Sequence, residues 1–408
     1  MASQSKWLPS SASADGLRLL TSRGLRGFAD GAVSVLLPSY LTAIGFGSAQ
    51  IGAIVFSTLL GSAALTLWVG LLSHRLGRRH VLLASAALMF LTGLGFALVT
   101  SFWLLLVVAF VGTLNPSVGD VSLFLPIEQS SLAESVVRSD LTSMFAVYNV
   151  AGAFAGALGA LASGLPVAAA PSLGWTSAGA QRTGFFVYSA IAIVAGVVYW
   201  RLSPAVEGDN EAAKAAPLAK SRRVVIQLSA LFSIDAFGGG FVVQSLLALW
   251  LFRRFNMSVA TAGTFFFVAG LLGSLSQFVS ARLAARFGRI NTMVFTHLPA
   301  SLFLILAAMM PNAKLAIAFL LLRSAVSSMD VPARQSYVMA VVPPEERAAA
   351  ASVTNVPRSL ASAFAPLPSG LMLEYSTFGW PLVCCGALKA LYDILLLIQF
   401  RAHRAPDE

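Results

Sequence analysis

The sequence is poor in charged residues and in cysteine. Only 11% of its 408 residues are Asp, Glu, Lys or Arg, whereas 57% are apolar. Soluble domains carry charge on roughly a quarter of their residues, so this composition argues against a soluble enzyme, a nucleic-acid-binding protein or a disordered scaffold. The two cysteines, Cys384 and Cys385, are adjacent and provide no disulfide framework. The composition therefore favours an integral membrane protein.

The apolar residues lie in long uninterrupted blocks. A helix needs about 20 apolar residues to cross the hydrocarbon core of a bilayer, whereas barrel strands alternate over about 10 residues. The blocks therefore predict helices. We count twelve predicted spans, at approximately 24–44, 50–72, 80–99, 102–125, 142–165, 184–202, 224–252, 258–280, 291–311, 314–334, 348–372 and 379–400.

The charged residues between the blocks predict the domain organisation and the orientation. We predict an all-α membrane protein with two pseudo-symmetric six-helix bundles, residues 1–202 and 224–408, joined by the charged linker 203–223. Nineteen of the 27 Lys and Arg residues fall on the side that holds both termini and this linker. The positive-inside rule then predicts a multi-pass protein of the cytoplasmic (inner) membrane with both termini in the cytoplasm.

The two halves of the chain resemble each other. At an offset of 206 residues, Gln129 aligns with Gln335 and Asn149 aligns with Asn355. At an offset of 211, the sequence RLGR at 75–78 falls on RFGR at 286–289. Two parallel repeats with a substrate site between them are typical of a membrane transporter.

The loop after the second predicted helix resembles a known family signature. Residues 70–83 read GLLSHRLGRRHVLL, which resembles the G-x-L-a-D-R-x-G-R-K signature of the major facilitator superfamily. His74 stands at the acidic position of that signature. The resemblance implies a gating loop that latches the two bundles, although the arginines are also explained as topology charges. Its residues are Gly70, His74, Arg75, Gly77, Arg78 and Arg79, with a second copy at Arg286, Gly288 and Arg289.

Ionisable residues inside the predicted spans are candidates for binding substrate or protons, because each costs about 2.5–3.5 kcal/mol to insert. Arg26 and Asp30 are four residues apart and are predicted to pair, which would keep Asp30 ionised. Asp235 matches Asp30 in the second half and is the predicted proton carrier. Lys389 and Asp393 are predicted to neutralise each other. Further candidates are Asp120, Asn149, Arg323, Asp330, Asn355 and Arg358.

These features predict a proton-coupled secondary transporter that exports a small amphipathic or drug-like solute. Uptake of an organic anion or a sugar with protons is an alternative. A polytopic membrane enzyme is disfavoured because H-E-x-x-H and G-x-S-x-G are absent from the sequence. The expected partners are a small molecule, protons and membrane lipid. We expect a monomer without a cofactor, metal ion or nucleic acid.

The predicted orientation can be tested at the linker. In a variant without Cys384 and Cys385, a Lys214→Cys substitution is expected to react with a membrane-impermeant maleimide in inverted vesicles and to be protected in intact cells. Labelling of this cysteine in intact cells would contradict the predicted topology.

Overall fold

The structure is a computed structural model that describes residues 11–117, 122–137, 140–207 and 218–400. The regular structure over these residues is helical, which confirms the predicted all-α fold class. Before the predicted linker, the helices are α1 (Ala14–Ala43), α2 (Ser48–Leu76), α3 (Arg78–Leu98), α4 (Phe102–Val111), α5 (Phe124–Ala133), α6 (Leu141–Ala162), α7 (Leu165–Leu173) and α8 (Ser177–Trp200). After it, they are α9 (Arg222–Gly240), α10 (Gln244–Phe255), α11 (Val259–Phe287), α12 (Arg289–Met309), α13 (Ala313–Ser327), α14 (Asp330–Val341), α15 (Arg347–Phe364), α16 (Pro366–Tyr375) and α17 (Trp380–Phe400).

Most predicted spans coincide with these helices. Within the described ranges, nine helical segments are long and apolar enough to cross a membrane. The other three predicted spans correspond to α1, to α4 with α5, and to α15 with α16. Helix α1 carries five charged residues, and the other two spans are interrupted helices.

Two predicted spans need correction. The span 102–125 ends as a helix at Val111, and α5 extends to Ala133, within the stretch 126–141 that the sequence assigns to a loop. The span 314–334 is divided between Ser327 and Asp330. Apolar composition locates a span, but it does not reveal where the backbone leaves the helix inside that span.

The described chain forms two compact units. Residues 11–46, 57–207 and 258–267 belong to the first unit, and residues 47–56, 218–257 and 268–400 belong to the second. In the second unit, the core surrounds α9, where Phe232 packs with Tyr337 and Tyr392. The division into bundles 1–202 and 224–408 stays a prediction.

Small residues bring α1 and α6 into close contact in the first unit. A Cβ atom at Gly31 would overlap the carbonyl oxygen of Gly156, and one at Gly27 would lie 2.6 Å from the carbonyl oxygen of Gly152. Such contacts replace hydrophobic burial as the packing force between helices in a bilayer. The glycines on the two helices therefore allow their backbones to approach closely.

Two carboxylates accept hydrogen bonds from the residues that precede α1 and α9. Asp140 accepts a hydrogen bond of 2.5 Å from Ser11. Glu346 accepts hydrogen bonds from the backbone N–H groups of Lys220 (2.9 Å) and Ser221 (3.1 Å) and from the Ser221 hydroxyl (2.5 Å). The bonds from Ser221 and Lys220 lower the pKa of Glu346 to about 2, so this carboxylate stays ionised at neutral pH.

The contact between α1 and α6 can be tested with two alanine substitutions in one helix. Gly31→Ala is expected to lower the melting temperature, because the new methyl group meets backbone atoms that cannot move aside. Gly24→Ala is the control, because a Cβ at Gly24 meets nothing within 4 Å and alanine favours a helix by roughly 0.5–1 kcal/mol. Thermal unfolding in detergent measures both effects. Equal melting temperatures for the two variants would contradict the described packing.

Candidate functional site

Both copies of the signature loop turn at a single glycine. Gly77 precedes α3 with φ +74°, and Gly288 precedes α12 with φ +83°. Glycine is favoured at both positions because residues with a Cβ rarely adopt positive φ. The predicted repeat thus recurs as the same backbone turn.

A carboxylate from the predicted linker holds the first copy of the loop. Glu207 accepts hydrogen bonds from the backbone N–H groups of Arg78 (2.5 Å) and Arg79 (3.1 Å) at the start of α3. The Arg78 guanidinium lies 3.7 Å from Glu134 and donates to the Val206 carbonyl at 3.1 Å. These arginines therefore make specific contacts, in addition to the positive charge on which the predicted orientation depends. A role in gating stays a proposal.

Several predicted residues fall outside the described parts of the structure. Asp120 lies outside the described residues, as do the side chains of residues 70–76, which include Gly70, His74 and Arg75. In the second copy, Arg286 is exposed and its guanidinium lies 5.3 Å from the Phe287 ring. Arg289 is half-buried.

The first unit contains a buried group that we call the N-terminal charge cluster. It consists of Ser22 and Arg26 on α1, Glu128 on α5, Tyr148 on α6 and Tyr199 on α8. Glu128 accepts hydrogen bonds from Arg26, from Tyr148, from Tyr199 at 2.5 Å and from Ser22 at 2.9 Å. The Arg26 side chain is 1% exposed and that of Glu128 is 0% exposed. Four donors from three helices thus compensate one buried carboxylate.

Arg26 binds Glu128 rather than Asp30, so the predicted pairing within α1 is wrong. The guanidinium also donates to the Tyr199 hydroxyl at 3.1 Å and stacks on Phe124, 4.1 Å from the ring centre. Sequence spacing suggested the partner four residues away, whereas α5 supplies a carboxylate that is already surrounded by hydroxyl donors. Asp30 is buried, and the amide of Asn115 is its hydrogen-bond partner. Among the described residues, Asp30 has no cation within ion-pair distance.

The second unit contains the C-terminal charge cluster, which consists of Asp235, His297, Asp330, Arg334, Lys389 and Asp393. Asp235 on α9 lies 2.6 Å from the Lys389 ammonium and 3.2 Å from the Arg334 guanidinium. Its Oδ1 is also 3.7 Å from His297 Nε2. Asp235 therefore has cationic partners on α14 and α17 and an imidazole nearby on α12.

His297 and Asp393 complete this cluster. His297 Nδ1 lies 3.1 Å from Asp393, and both side chains are buried. Lys389, predicted to pair with Asp393, instead contacts Asp235 and lies 3.3 Å from His297 Nε2. His297 belongs to no local sequence motif, so its place in this cluster is visible only in the structure.

The ion pairs of the two units have opposite polarity. In the first unit the cation, Arg26, is on α1 and the carboxylate, Glu128, is on α5. In the second unit the carboxylate, Asp235, is on α9 and the cation, Arg334, is on α14. Glu128 and Arg334 each precede an aligned glutamine, Gln129 or Gln335. The repeat alignment therefore contained the signal that would have identified both residues.

The remaining candidates lie elsewhere or only partly in the clusters. Asn149 and Asn355 are exposed on α6 and α15. Arg358 on α15 and Arg323 on α13 are half-buried. Asp330 on α14 lies 4.0 Å from Arg334 and so belongs to the C-terminal charge cluster. Arg323 is on a different helix, α13. In the described ranges, no group of three or more His, Cys, Asp and Glu side chains is arranged to hold a metal ion.

The long apolar helices and the charges buried between them are those of a polytopic membrane protein. The family model of the Major Facilitator Superfamily matches residues 19–366 and, in a second match, residues 228–407. The chain belongs to the major facilitator superfamily, and it is a transporter rather than an enzyme.

Individual relatives agree with this family. An uncharacterized membrane protein of Saccharomyces cerevisiae is 27% identical over 92% of each chain. A D-xylose transporter of Levilactobacillus brevis is 33% identical over 30% of this chain and 26% of its own. The solved nucleoside transporter NupG has a TM-score of 0.75 at 14% identity, over 95% of this chain and 99% of NupG. A D-xylose-proton symporter has a TM-score of 0.73 at 14% identity, over 93% and 96%. These structural likenesses show a shared fold.

The N-terminal charge cluster can be tested through stability. Glu128→Gln is expected to lower the free energy of unfolding by about 3–5 kcal/mol, because Arg26 stays buried without its charged partner. Glu134→Gln is the matched control, since Glu134 is 45% exposed and its contact with Arg78 is worth at most about 1 kcal/mol. Denaturant titration of the purified variants measures both changes. An equal decrease in the free energy of unfolding for the two variants would contradict the role of Glu128 as the buried partner of Arg26.

Proposed function

We propose that this chain is a proton-coupled secondary transporter that moves a small hydroxylated solute by alternating access. The coupling group is Asp30, and the solute belongs to the sugar or nucleoside class. Both termini lie in the cytoplasm, as the distribution of basic residues predicts.

The observation that carries the proposal is the burial of Asp30 beside a cation that is already bound elsewhere. Arg26 is held by Glu128 and stacked on Phe124, so it is not available as the contact partner of Asp30. The amide of Asn115 can donate to the ionised carboxylate or accept from the protonated one. A proton removes the charge of Asp30 without disrupting an ion pair. Asp235, in contrast, would lose its charged contacts with Lys389 and Arg334 if it were protonated.

The relatives favour a polar solute with several hydroxyl groups. The D-xylose transporter is 33% identical over 121 residues, and structures of a nucleoside transporter and a D-xylose-proton symporter share the fold. Sugars and nucleosides need hydrogen-bond donors and acceptors rather than a large apolar pocket. Proton-driven uptake of such a solute is therefore preferred to the export of a drug-like compound that the sequence features predict.

Transport in reconstituted vesicles tests this function. With an imposed pH gradient, acidic outside, the wild-type protein is expected to accumulate radiolabelled D-xylose or uridine above equilibrium. Asp30→Asn is expected to abolish accumulation but to retain exchange of labelled for unlabelled solute, because the neutral side chain mimics the protonated state.

Asp15→Asn is the matched control on the same helix. Asp15 is bonded to Arg18 (2.7 Å) and Ser203 at the start of α1, and this variant is expected to accumulate solute like the wild type. Gradient-driven accumulation by Asp30→Asn would remove Asp30 from coupling. Gradient-driven extrusion of an amphipathic dye, without uptake of either solute, would replace uptake by export.

A further inference from the structure

His297 lies at the centre of the C-terminal charge cluster, between a carboxylate and an ammonium group. Nδ1 faces Asp393 at 3.1 Å, and Nε2 faces Lys389 at 3.3 Å. The imidazole is buried on α12, with Tyr392 edge-on at 6.0 Å between ring centres. Both ring nitrogens therefore have a fixed polar neighbour and little access to water.

The chemistry of these two neighbours determines which nitrogen carries the proton. A lysine ammonium group only donates hydrogen bonds, and an ionised carboxylate only accepts them. Nε2 must therefore be the acceptor from Lys389, and Nδ1–H must donate to Asp393. The opposite tautomer would direct an N–H toward the ammonium and a lone pair toward the carboxylate. The neutral imidazole with its proton on Nδ1 is the tautomer that satisfies both contacts.

A second proton can enter the imidazole only at Nε2, and it changes the contacts of Lys389. Once Nε2 carries a proton, it and the ammonium group are both donors and repel each other. The nearest acceptor for the new N–H is Asp235 Oδ1, at 3.7 Å. While the imidazole is neutral, this oxygen binds the Lys389 ammonium at 2.6 Å. Protonation thus sets His297 and Lys389 in competition for one carboxylate oxygen.

The surrounding charges accommodate this extra proton. In the set linked by contacts of 4.0 Å or less, three carboxylates (Asp235, Asp330 and Asp393) accompany two permanent cations, Arg334 and Lys389. A proton on His297 makes this set electrically neutral. Other titratable side chains on the adjoining helices include Cys385 and Tyr392 on α17, Tyr337 on α14 and Arg323 on α13, of which Arg323 lies beside Cys385.

We propose that His297 is a second proton-binding residue of the transporter, and that its protonation at Nε2 transfers Asp235 from Lys389 to the imidazole. Asp393 is the positioning residue that fixes the tautomer. The exchange loosens α17, which carries Lys389, from α9, which carries Asp235, while Arg334 keeps its contact with Asp235. This role in coupling rests on the proposed proton-driven function, but the tautomer and the second protonation are properties of the folded chain alone.

Nitrogen-15 NMR of the histidine ring tests the proposal without a transport assay. The full chain carries histidines at positions 74, 80, 297 and 403, so substitution of His74, His80 and His403 by glutamine leaves His297 as the single signal. In lipid vesicles near pH 8, the spectrum is expected to show a protonated Nδ1 and an unprotonated Nε2. Between about pH 8 and pH 5, Nε2 is expected to gain a proton. A proton on Nε2 with a bare Nδ1 near pH 8, or a ring that stays neutral throughout this range, would overturn the proposal.

Charge-removing variants test the contacts. Lys389→Gln is expected to move the second protonation of His297 to higher pH by about 1–3 units, because the repelling ammonium is gone. Asp393→Asn is expected to move it to lower pH, because the compensating carboxylate charge is lost while the amide oxygen still accepts from Nδ1–H. Lys314→Gln removes the same charge from an exposed position on α13 and is expected to leave the titration unchanged. Equal shifts for Lys389→Gln and Lys314→Gln, or shifts of the same sign for Lys389→Gln and Asp393→Asn, would overturn the proposed contacts.

The two levels of failure are separate. If the ring titrates as described but neither sugar nor nucleoside moves with protons, the proposed function fails and the site stands. If solute accumulates with protons but His297 stays neutral, the site fails and coupling belongs to Asp30 alone.

Discussion

The cost of a charge inside a membrane governs the interior of this protein. An unpaired ion at the centre of a helix costs several kilocalories per mole, and removing one partner of a buried pair costs about as much. Arg26, Glu128, Asp235 and Asp393 are nevertheless at most 4% exposed. Each has a polar or charged partner on at least one other helix, so these contacts link the helices within each unit.

The two clusters compensate their charges differently. In the first unit, tyrosine and serine hydroxyls surround Glu128, and these neutral donors leave the pair with Arg26 intact. In the second unit, the donors to Asp235 are charged, and one of its neighbours is an imidazole that can change its own charge. The first arrangement is suited to a fixed element of structure, with Asp30 nearby as the proposed proton carrier. The second is suited to exchange of partners within the cluster.

The sequence predicts the fold well because a membrane makes helix length and apolar composition nearly sufficient. Most of the spans follow from composition, and the positions of Gly77 and Gly288 follow from the repeats and the family signature. The ion pairs could not be predicted in the same way. Spacing within one helix suggested that Arg26 binds Asp30 and that Lys389 binds Asp393, whereas both basic side chains find carboxylates on other helices. Local spacing describes neighbours along a helix, but a buried charge takes the partner that tertiary packing supplies. The repeat alignment could have identified Glu128 and Arg334 as candidate site residues, because each precedes an aligned glutamine. No local sequence pattern identifies His297.

The central claim is that solute and protons cross the membrane together. A direct test is to add solute to lightly buffered vesicles that contain the purified protein, without any imposed gradient, and to record the external pH. Solute entry is expected to make the external medium more alkaline, with the same time course as the uptake of label, and a protonophore should abolish the pH change. Uptake of labelled solute without any change in external pH would contradict the account.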